Sequence, residues 1–146
     1  MPYTKDSYQH TIDHKGRVSL PAKFRKANSS THYDTYKITV GLEGCLAVYS
    51  MDEWEKFLER MGSLHSNPSD VRFYQRMIFF NACESQLDKQ GRITIPQELL
   101  AKAKIEKDVQ IIKMMDRIEL WNPNSFQEYL EKKKKTIEEI VEEVGG

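Results

Sequence analysis

Two short stretches of the chain hold an arginine at a fixed distance from an aspartate and a glycine. The residues from Asp13 to Pro21 and from Asp88 to Pro96 both read Asp-x-x-Gly-Arg-apolar-polar-apolar-Pro, at an offset of 75 residues. An aspartate that faces an arginine across a tight turn can accept two hydrogen bonds from the guanidinium and fix its direction. The pattern therefore predicts an arginine presented outward at each turn, Arg17 in the first copy and Arg92 in the second.

The alternative reading of one such motif is an exposed ion pair that only stabilises its turn. Such a pair contributes roughly 0 to 1 kcal/mol. So small a stabilisation does not explain why two parts of one chain keep Asp, Gly and Arg in the same register while neighbouring positions differ. The repetition favours a shared function for the two arginines.

Alternating apolar and polar residues predict the strands that must position these arginines. Val18-Ser19-Leu20 and Ile93-Thr94-Ile95 have the period of a half-buried strand. Three residues ending in Gly16 or Gly91 predict a hairpin loop whose glycine has a positive φ. We therefore expect the strand that ends before Asp13 to pair with residues 18–20, and the second copy to repeat this hairpin.

The remaining pattern predicts two similar halves within one domain. Residues 1–62 form the first repeat, 63–81 a linker and bridging helix, 82–130 the second repeat and 131–146 a helical tail. Ser50 and Glu53 have capping-box spacing and predict a helix that ends at Gly62. Pro123 predicts the start of one long final helix that continues through the lysines at 132–135. Its apolar stripe is expected to pack on its own body or on a neighbouring subunit.

Charge and cysteine content narrow the class of protein. The chain of 146 residues has 22 basic and 22 acidic residues, but residues 1–30 alone carry a net charge of +4, which predicts one basic face. Cys45 and Cys83 are far apart and have no metal-ligand spacing, so we expect a reduced, cytoplasmic compartment and no metal or other cofactor. Neither a membrane span nor a leader peptide is predicted.

From about Tyr8 to about Leu130 the sequence resembles the MraZ family, bacterial transcriptional regulators of the division and cell wall cluster. The residues that carry the resemblance are the two motifs described above, Ala22 to Arg25, Gly44 to Leu46 leading to Trp54, and Arg117 to Trp121. The resemblance implies an α+β fold of two AbrB/MazE-like swapped-hairpin half-barrels in one chain, with flanking helices. It also implies a homo-oligomeric ring that binds direct repeats of double-stranded DNA in its own promoter, represses its operon and is associated with the nucleoid.

The resemblance assigns the DNA contact to the two Asp-x-x-x-Arg motifs. On this hypothesis Arg17 and Arg92 enter the major groove and bind guanine, while Asp13 and Asp88 hold them in place. Five further residues are expected to contact phosphate: Lys15, Lys23, Arg25, Lys26 and Lys89. Leu100 stands where the family pattern places an arginine like Arg25, which predicts unequal half-sites.

Two other classes of function are alternatives to DNA binding. An AbrB-like antitoxin or other protein-interaction module usually has a disordered tail of low hydrophobicity, whereas this tail keeps Ile137, Ile140 and Val144 at helical spacing. An enzyme is disfavoured because the sequence shows no nucleophile beside a base, no metal-ligand set and no glycine-rich phosphate loop. No small-molecule substrate is expected.

Overall fold

The computed structural model describes residues 5–25, 34–65, 67–133 and 135–145. Within these ranges the chain combines a six-stranded sheet, a two-stranded ribbon and five α-helices, so the predicted α+β class is confirmed. The strands are β1 (Ser7–Thr11), β2 (Arg17–Ser19), β3 (Thr35–Val40), β4 (Leu46–Ser50), β5 (Cys83–Gln86), β6 (Arg92–Thr94), β7 (Asp108–Lys113) and β8 (Ile118–Trp121). The helices are α1 (Met51–Gly62), α2 (Pro68–Asn81), α3 (Gln97–Lys102), α4 (Pro123–Lys132) and α5 (Ile137–Val144).

The large sheet is built from both halves of the chain. Its strand order is β1-β7-β8-β4-β3-β5, and each neighbouring pair is antiparallel. Within it, β3–β4 and β7–β8 are hairpins of consecutive strands. Each half places its first strand on the edge of the other half, because β1 pairs with β7 and β5 pairs with β3.

The expectation that β1 and β2 form a hairpin with each other is wrong beyond the turn. Tyr8 lies opposite Ile111 on β7, and Val18 lies opposite Ile93 on β6. The tight turn itself forms, since the Gly16 N–H donates to the Asp13 carbonyl at 3.0 Å. Short alternating strands do not specify their partner, and here the partner that buries both apolar faces comes from the other half.

The β2–β6 ribbon lies over the main core. Val18, Leu20, Ile93 and Ile95 are fully or almost fully buried and pack in one cluster with residues of the large sheet. These side chains point inward, so the alternate residues of both strands point away from the core. One face of the ribbon therefore packs on the core, and the other face is available for contact with a ligand.

Helices α1 and α2 pack on the large sheet through a second apolar cluster, separate from the main core. The Ser50 Oγ accepts a hydrogen bond of 3.2 Å from the Glu53 N–H, so the predicted cap of α1 is present. Trp54 and Met61 of α1 and Ile78 of α2 form a second apolar cluster with residues of β4. Within the described ranges, no helix has both the length and the apolar character needed to cross a membrane.

The long final helix that the sequence predicts is two helices. Helix α4 ends at Lys132 and α5 begins after Thr136. The Thr136 Oγ1 accepts a hydrogen bond from the Glu139 N–H at 3.2 Å and contacts the Glu139 carboxylate at 3.3 Å. This cap begins a new helix at a point where the continuous apolar periodicity of the sequence predicts no break. The apolar side chains of α5 are mostly exposed, so α5 does not pack its stripe on its own subunit.

Candidate nucleic-acid interface

The β2–β6 ribbon brings the two repeated turns next to each other. Arg17 lies opposite Thr94 and Arg92 lies opposite Ser19 in the antiparallel register. Beyond the ladder, the Ile95 N–H donates to the Gly16 carbonyl at 2.8 Å, and the Leu20 N–H donates to the Gly91 carbonyl at 3.0 Å. Each turn is thus held by the strand that follows the other turn.

Both turns have the backbone conformation that the sequence predicts. Gly16 has a φ of +78° and Gly91 a φ of +76°. The Gly91 N–H donates to the Asp88 carbonyl at 3.0 Å, as the Gly16 N–H does in the first turn. Only glycine adopts this region without steric cost, so the glycine in each motif is a requirement of the turn.

Each aspartate holds its arginine through both main chain and side chain. The Arg17 Nε donates to Asp13 Oδ2 at 2.6 Å, while the N–H groups of Arg17 and Lys15 donate to Asp13 Oδ1 at 2.9 and 3.0 Å. The second turn repeats this set. The Arg92 Nε donates to Asp88 Oδ2 at 2.9 Å, and the N–H groups of Arg92 and Gln90 donate to Asp88 Oδ1 at 2.9 and 2.8 Å.

Each aspartate accepts one hydrogen bond from its guanidinium, where two were expected. The aspartate uses its second oxygen to order the loop backbone instead. Within the described part of the chain, the Nη atoms of Arg17 have no hydrogen bond, and one Nη of Arg92 has only an ion-pair contact. Bonding through Nε fixes the guanidinium plane while leaving the Nη edge for a ligand.

The hydrogen bonds keep both carboxylates ionised. The N–H of Arg17, together with its guanidinium and the Lys15 N–H, lowers the pKa of Asp13 from its ordinary value of 3.8 to about 2. The N–H of Arg92 is the main cause that lowers the pKa of Asp88. Hydrogen bonds to the charged form favour it, so each arginine faces a full negative charge at neutral pH.

The two arginines lie on the same side of the molecule. The Arg92 Nη1 lies 3.8 Å from Asp13 Oδ2, so the aspartate of the first turn contacts the arginine of the second. The side chains of Arg17 and Arg92 are 28% and 26% exposed. Both guanidinium groups are therefore partly covered by the protein and partly accessible at one surface.

Two residues of this surface were missed by the sequence analysis. Ser19 and Thr94 follow Arg17 and Arg92 by two positions, which places them on the same outer face of the ribbon. The alternation of the strands was the available signal. We call the face formed by Arg17, Ser19, Arg92 and Thr94 the ribbon face.

The predicted phosphate-contact lysines differ in their surroundings. Lys15 and Lys89 are exposed at the tips of the two turns. Lys23 is partly buried, with its Nζ 3.6 Å from Asp6 Oδ1 and 5.1 Å from the centre of the Tyr8 ring. Lys26 lies outside the described residues.

Arg25 lies beside the turn of the other half. Its Nε donates to the Leu20 carbonyl at 3.0 Å, and its guanidinium covers Gly91 so closely that a Cβ added there would lie 3.1 Å from Nη2. At the matching place in the first turn, the side chain nearest to Gly16 is the buried Leu100. The second turn thus has a cation beside it where the first turn has an apolar side chain.

The site offers hydrogen-bond donors and positive charge rather than reactive groups. Across residues 5–25, 34–65, 67–133 and 135–145, no three His, Cys, Asp or Glu side chains come together as a possible metal site. The chemistry of the ribbon face is that of two oriented guanidinium groups, which suit the paired acceptors of a base edge or a phosphate.

Comparison with known proteins matches nearly the whole chain to one family. The family model described as "MraZ protein, putative antitoxin-like" matches residues 5–76 and 78–144. A protein of Caldanaerobacter subterraneus subsp. tengcongensis named "Transcriptional regulator MraZ" is 43% identical over 135 residues, which cover 92% of each chain. Proteins with the same name are 42% identical in Thermoanaerobacter pseudethanolicus, over 92% of each chain, and 39% identical in Natranaerobius thermophilus, over 94% of this chain and 93% of the other. Because the family model and these relatives each match more than nine-tenths of the sequence, the chain belongs to the MraZ family.

Proposed function

We propose that this protein is a transcriptional regulator that binds double-stranded DNA in a sequence-specific way through the ribbon face. The observation that carries the proposal is the pair of aspartate-held guanidinium groups, side by side and partly exposed on one two-stranded ribbon. The relatives named as transcriptional regulators support the same class of function. The target is a set of short direct repeats in the promoter of its own operon, and the outcome is repression.

The shape of the ribbon suits the major groove of DNA. The groove is about 12 Å wide and admits a two-stranded β-ribbon, and guanine presents O6 and N7 there as paired acceptors. Arg17 and Arg92 can direct their Nη atoms at such acceptors while their Nε atoms stay bonded to Asp13 and Asp88. The aspartates remain paired in the complex and do not face the phosphates as bare charges.

Phosphate contacts come from cations around the ribbon face. Lys15 and Lys89 extend from the turn tips, and Lys23 and Arg25 lie farther along the first half. Lys26 remains part of the proposal. Because Arg25 lies against Gly91, we assign its phosphate contact to the half-site read by Arg92. The Leu100 position has no such cation, which makes the two half-sites unequal.

The strand exchange supports the swapped-hairpin arrangement that the family resemblance implies. Strands β1 and β5 each pair with the opposite half, and β2 pairs with β6 across the two halves. On this proposal the repeats at 1–62 and 82–130 are two AbrB/MazE-like half-barrels, with 63–81 as linker and bridging helix and 131–146 as the tail. Several chains assemble into a ring, and the ring is associated with the nucleoid.

The direct test is binding to DNA from upstream of the gene itself. Fluorescence anisotropy should show tight binding of the parent chain to that fragment, and footprinting should show protected direct repeats. The double variant Arg17→Ala/Arg92→Ala should bind this DNA fragment no more tightly than it binds DNA of scrambled sequence. Lys56→Ala/Lys132→Ala removes the same charge from exposed sites on α1 and α4, and it should bind like the parent. Equal binding by the two double variants would refute the proposal.

A second candidate is an antitoxin-like module that binds a partner protein. The wording of the family description and the exposed apolar side chains of α2 and α5 favour it. This function predicts a stoichiometric protein partner whose binding is unaffected by Arg17→Ala/Arg92→Ala. Loss of DNA binding together with intact partner binding would separate the two activities.

A further inference from the structure

Helix α2 exposes an aromatic stripe. Phe73, Met77 and Phe80 fall at i, i+4 and i+7, which places them on one face of the helix, and all three are exposed; Phe80 is 83% exposed. Arg72 and Arg76 line one edge of this stripe and, with Met77 and Phe80, border an open depression. Exposed apolar patches with a polar border commonly mark interaction sites.

Helix α5 exposes a second stripe with the same spacing. Ile137, Val141 and Val144 also fall at i, i+4 and i+7, and all three are exposed; Val144 is 73% exposed. At a rise of about 1.5 Å per residue, both stripes are about 10 Å long. The two faces therefore match in length and in the spacing of their apolar side chains.

The charges beside the two stripes are opposite. Arg72 and Arg76 are the cations beside the α2 stripe, and the Asp70 carboxylate lies near its start. Helix α5 carries four glutamates, Glu138, Glu139, Glu142 and Glu143, and Glu138 lies at the edge of its stripe, one position after Ile137. Lys135 pairs with Glu143 and the Thr136 hydroxyl donates to the Glu139 carboxylate, so within the described residues Glu138 and Glu142 have neither an ion pair nor a side-chain hydrogen bond. Complementary charge on matching apolar faces favours contact between α2 and α5 over contact of either helix with its own copy.

We propose that α5 of one subunit docks on α2 of a second copy of this chain. The two faces differ, so the contact is heterologous, and its repetition gives a ring when the rotation between neighbouring subunits divides a full turn. The apolar stripes meet at the centre, and the arginines of α2 pair with glutamates of α5 at the edge. This inference rests on the ring included in the proposed function and names the surfaces that form it.

The test uses two full-length variants that each damage one face. Phe80→Asp alters α2 and leaves α5 intact, while Val144→Asp alters α5 and leaves α2 intact. Native mass spectrometry should show a multi-chain assembly for the parent and a single chain for each variant alone. An equimolar mixture of the two should give a two-chain species, because one intact α2 face and one intact α5 face remain. Met115→Asp places the same charge on a 99% exposed methionine of the β7–β8 turn and should keep the parent mass.

The outcomes separate this contact from the proposed function. If either helix variant alone keeps the parent mass, or if the mixture gives no two-chain species, the α5–α2 contact is wrong. If the parent is a single chain, the proposals of a ring and of this contact are both wrong. Binding of DNA that carries one repeat still tests the ribbon face in that case. Far-UV circular dichroism should give each variant the parent's spectrum and a cooperative thermal transition, since each altered side chain is exposed on its own subunit. The midpoint falls when the subunits separate, because assembly stabilises the folded chain. A changed spectrum or the loss of the cooperative transition would contradict the assignment of that face to the outside of the subunit.

Discussion

Asp13 contacts both arginines of the ribbon face. It accepts a hydrogen bond from the Arg17 Nε at 2.6 Å and lies 3.8 Å from the Arg92 Nη1. Within the described residues, Asp88 has an ion pair with Arg92 alone. The two motifs are alike in sequence, but their aspartates are not equivalent.

This difference predicts unequal effects of two matched variants. Asp13→Asn should weaken DNA binding about tenfold, because the neutral amide loses the charge-assisted hydrogen bond that directs Arg17. Asp88→Asn should weaken it less, because Arg92 keeps its contact with Asp13. Anisotropy titrations on one operator fragment at one salt concentration measure the difference. A larger loss for Asp88→Asn would contradict the shared role of Asp13.

The lowered pKa of Asp13 predicts how stability depends on pH. The folded pKa is about 2 and the ordinary value is 3.8, so the unfolded chain binds the proton more readily between these values. The stabilisation is complete above about pH 4 and is lost as the pH falls towards 2. Urea unfolding at pH 5, 3 and 2 should show a smaller decrease in the free energy of unfolding for Asp13→Asn than for the parent. Equal decreases would mean that Asp13 does not contribute.

The two turn glycines are equivalent in conformation but not in packing. A Cβ on Gly16 would lie 2.6 Å from the Ile95 carbonyl oxygen, which is backbone and cannot move away alone. A Cβ on Gly91 would lie 3.1 Å from the Arg25 Nη2, the end of a flexible side chain. Both positions also have a positive φ, which costs a residue with a Cβ about 1 to 2 kcal/mol.

Gly16→Ala should therefore destabilise the fold more than Gly91→Ala. We expect a loss of about 1 to 2 kcal/mol for Gly91→Ala and at least about 1 kcal/mol more for Gly16→Ala, because the Ile95 N–H bond to Gly16 is disturbed. Urea denaturation of both variants measures this order. Gly91→Ala should also displace the Arg25 guanidinium and so weaken DNA binding. When Arg25 is itself replaced by Ala, the Gly91→Ala substitution should no longer change the affinity for DNA. The reverse order of stability would contradict the packing of the two turns.

Local features of the fold could be predicted from sequence, and long-range pairing could not. The turn at Gly16 and the cap at Ser50 depend on residues within four positions of each other, and both are present. The partner of β1 depends on which distant strand buries the same face, and short alternating strands do not encode that choice. The break before α5 had a local signal in Thr136 and Glu139, which the continuous apolar stripe obscured.

The same limit applies to the ribbon face. Sequence indicated the two arginines and their aspartates, because each pair lies within one turn. It could not indicate that Asp13 also meets Arg92, or that Arg25 covers Gly91 of the other half, because these contacts depend on the antiparallel pairing of β2 with β6. Leu100 looked like a departure from a pattern, and its burial beside Gly16 gives it a packing role.

At the scale of the whole molecule, one ribbon face carries few cations, so we expect the proposed DNA binding to be tight only when several subunits act together. A ring that engages two boxes at once gains roughly 100-fold to 10,000-fold in affinity over one box, provided the spacing fits. DNA with two direct repeats should therefore bind much more tightly than DNA with one. Inserting about 5 base pairs, half a helical turn, between the repeats should remove most of this gain. Binding that is insensitive to the insertion would contradict simultaneous engagement.

The most direct measurement of the central claim is the ratio of affinities for operator and scrambled DNA at fixed salt. Arg17→Lys keeps the charge but loses the planar fork that reads a base edge. We predict that it lowers the ratio by a factor corresponding to about 1 to 3 kcal/mol, with little change in binding to scrambled DNA. Arg92→Lys should behave in the same way. A ratio equal to that of the parent in both variants would show that the ribbon face does not read bases.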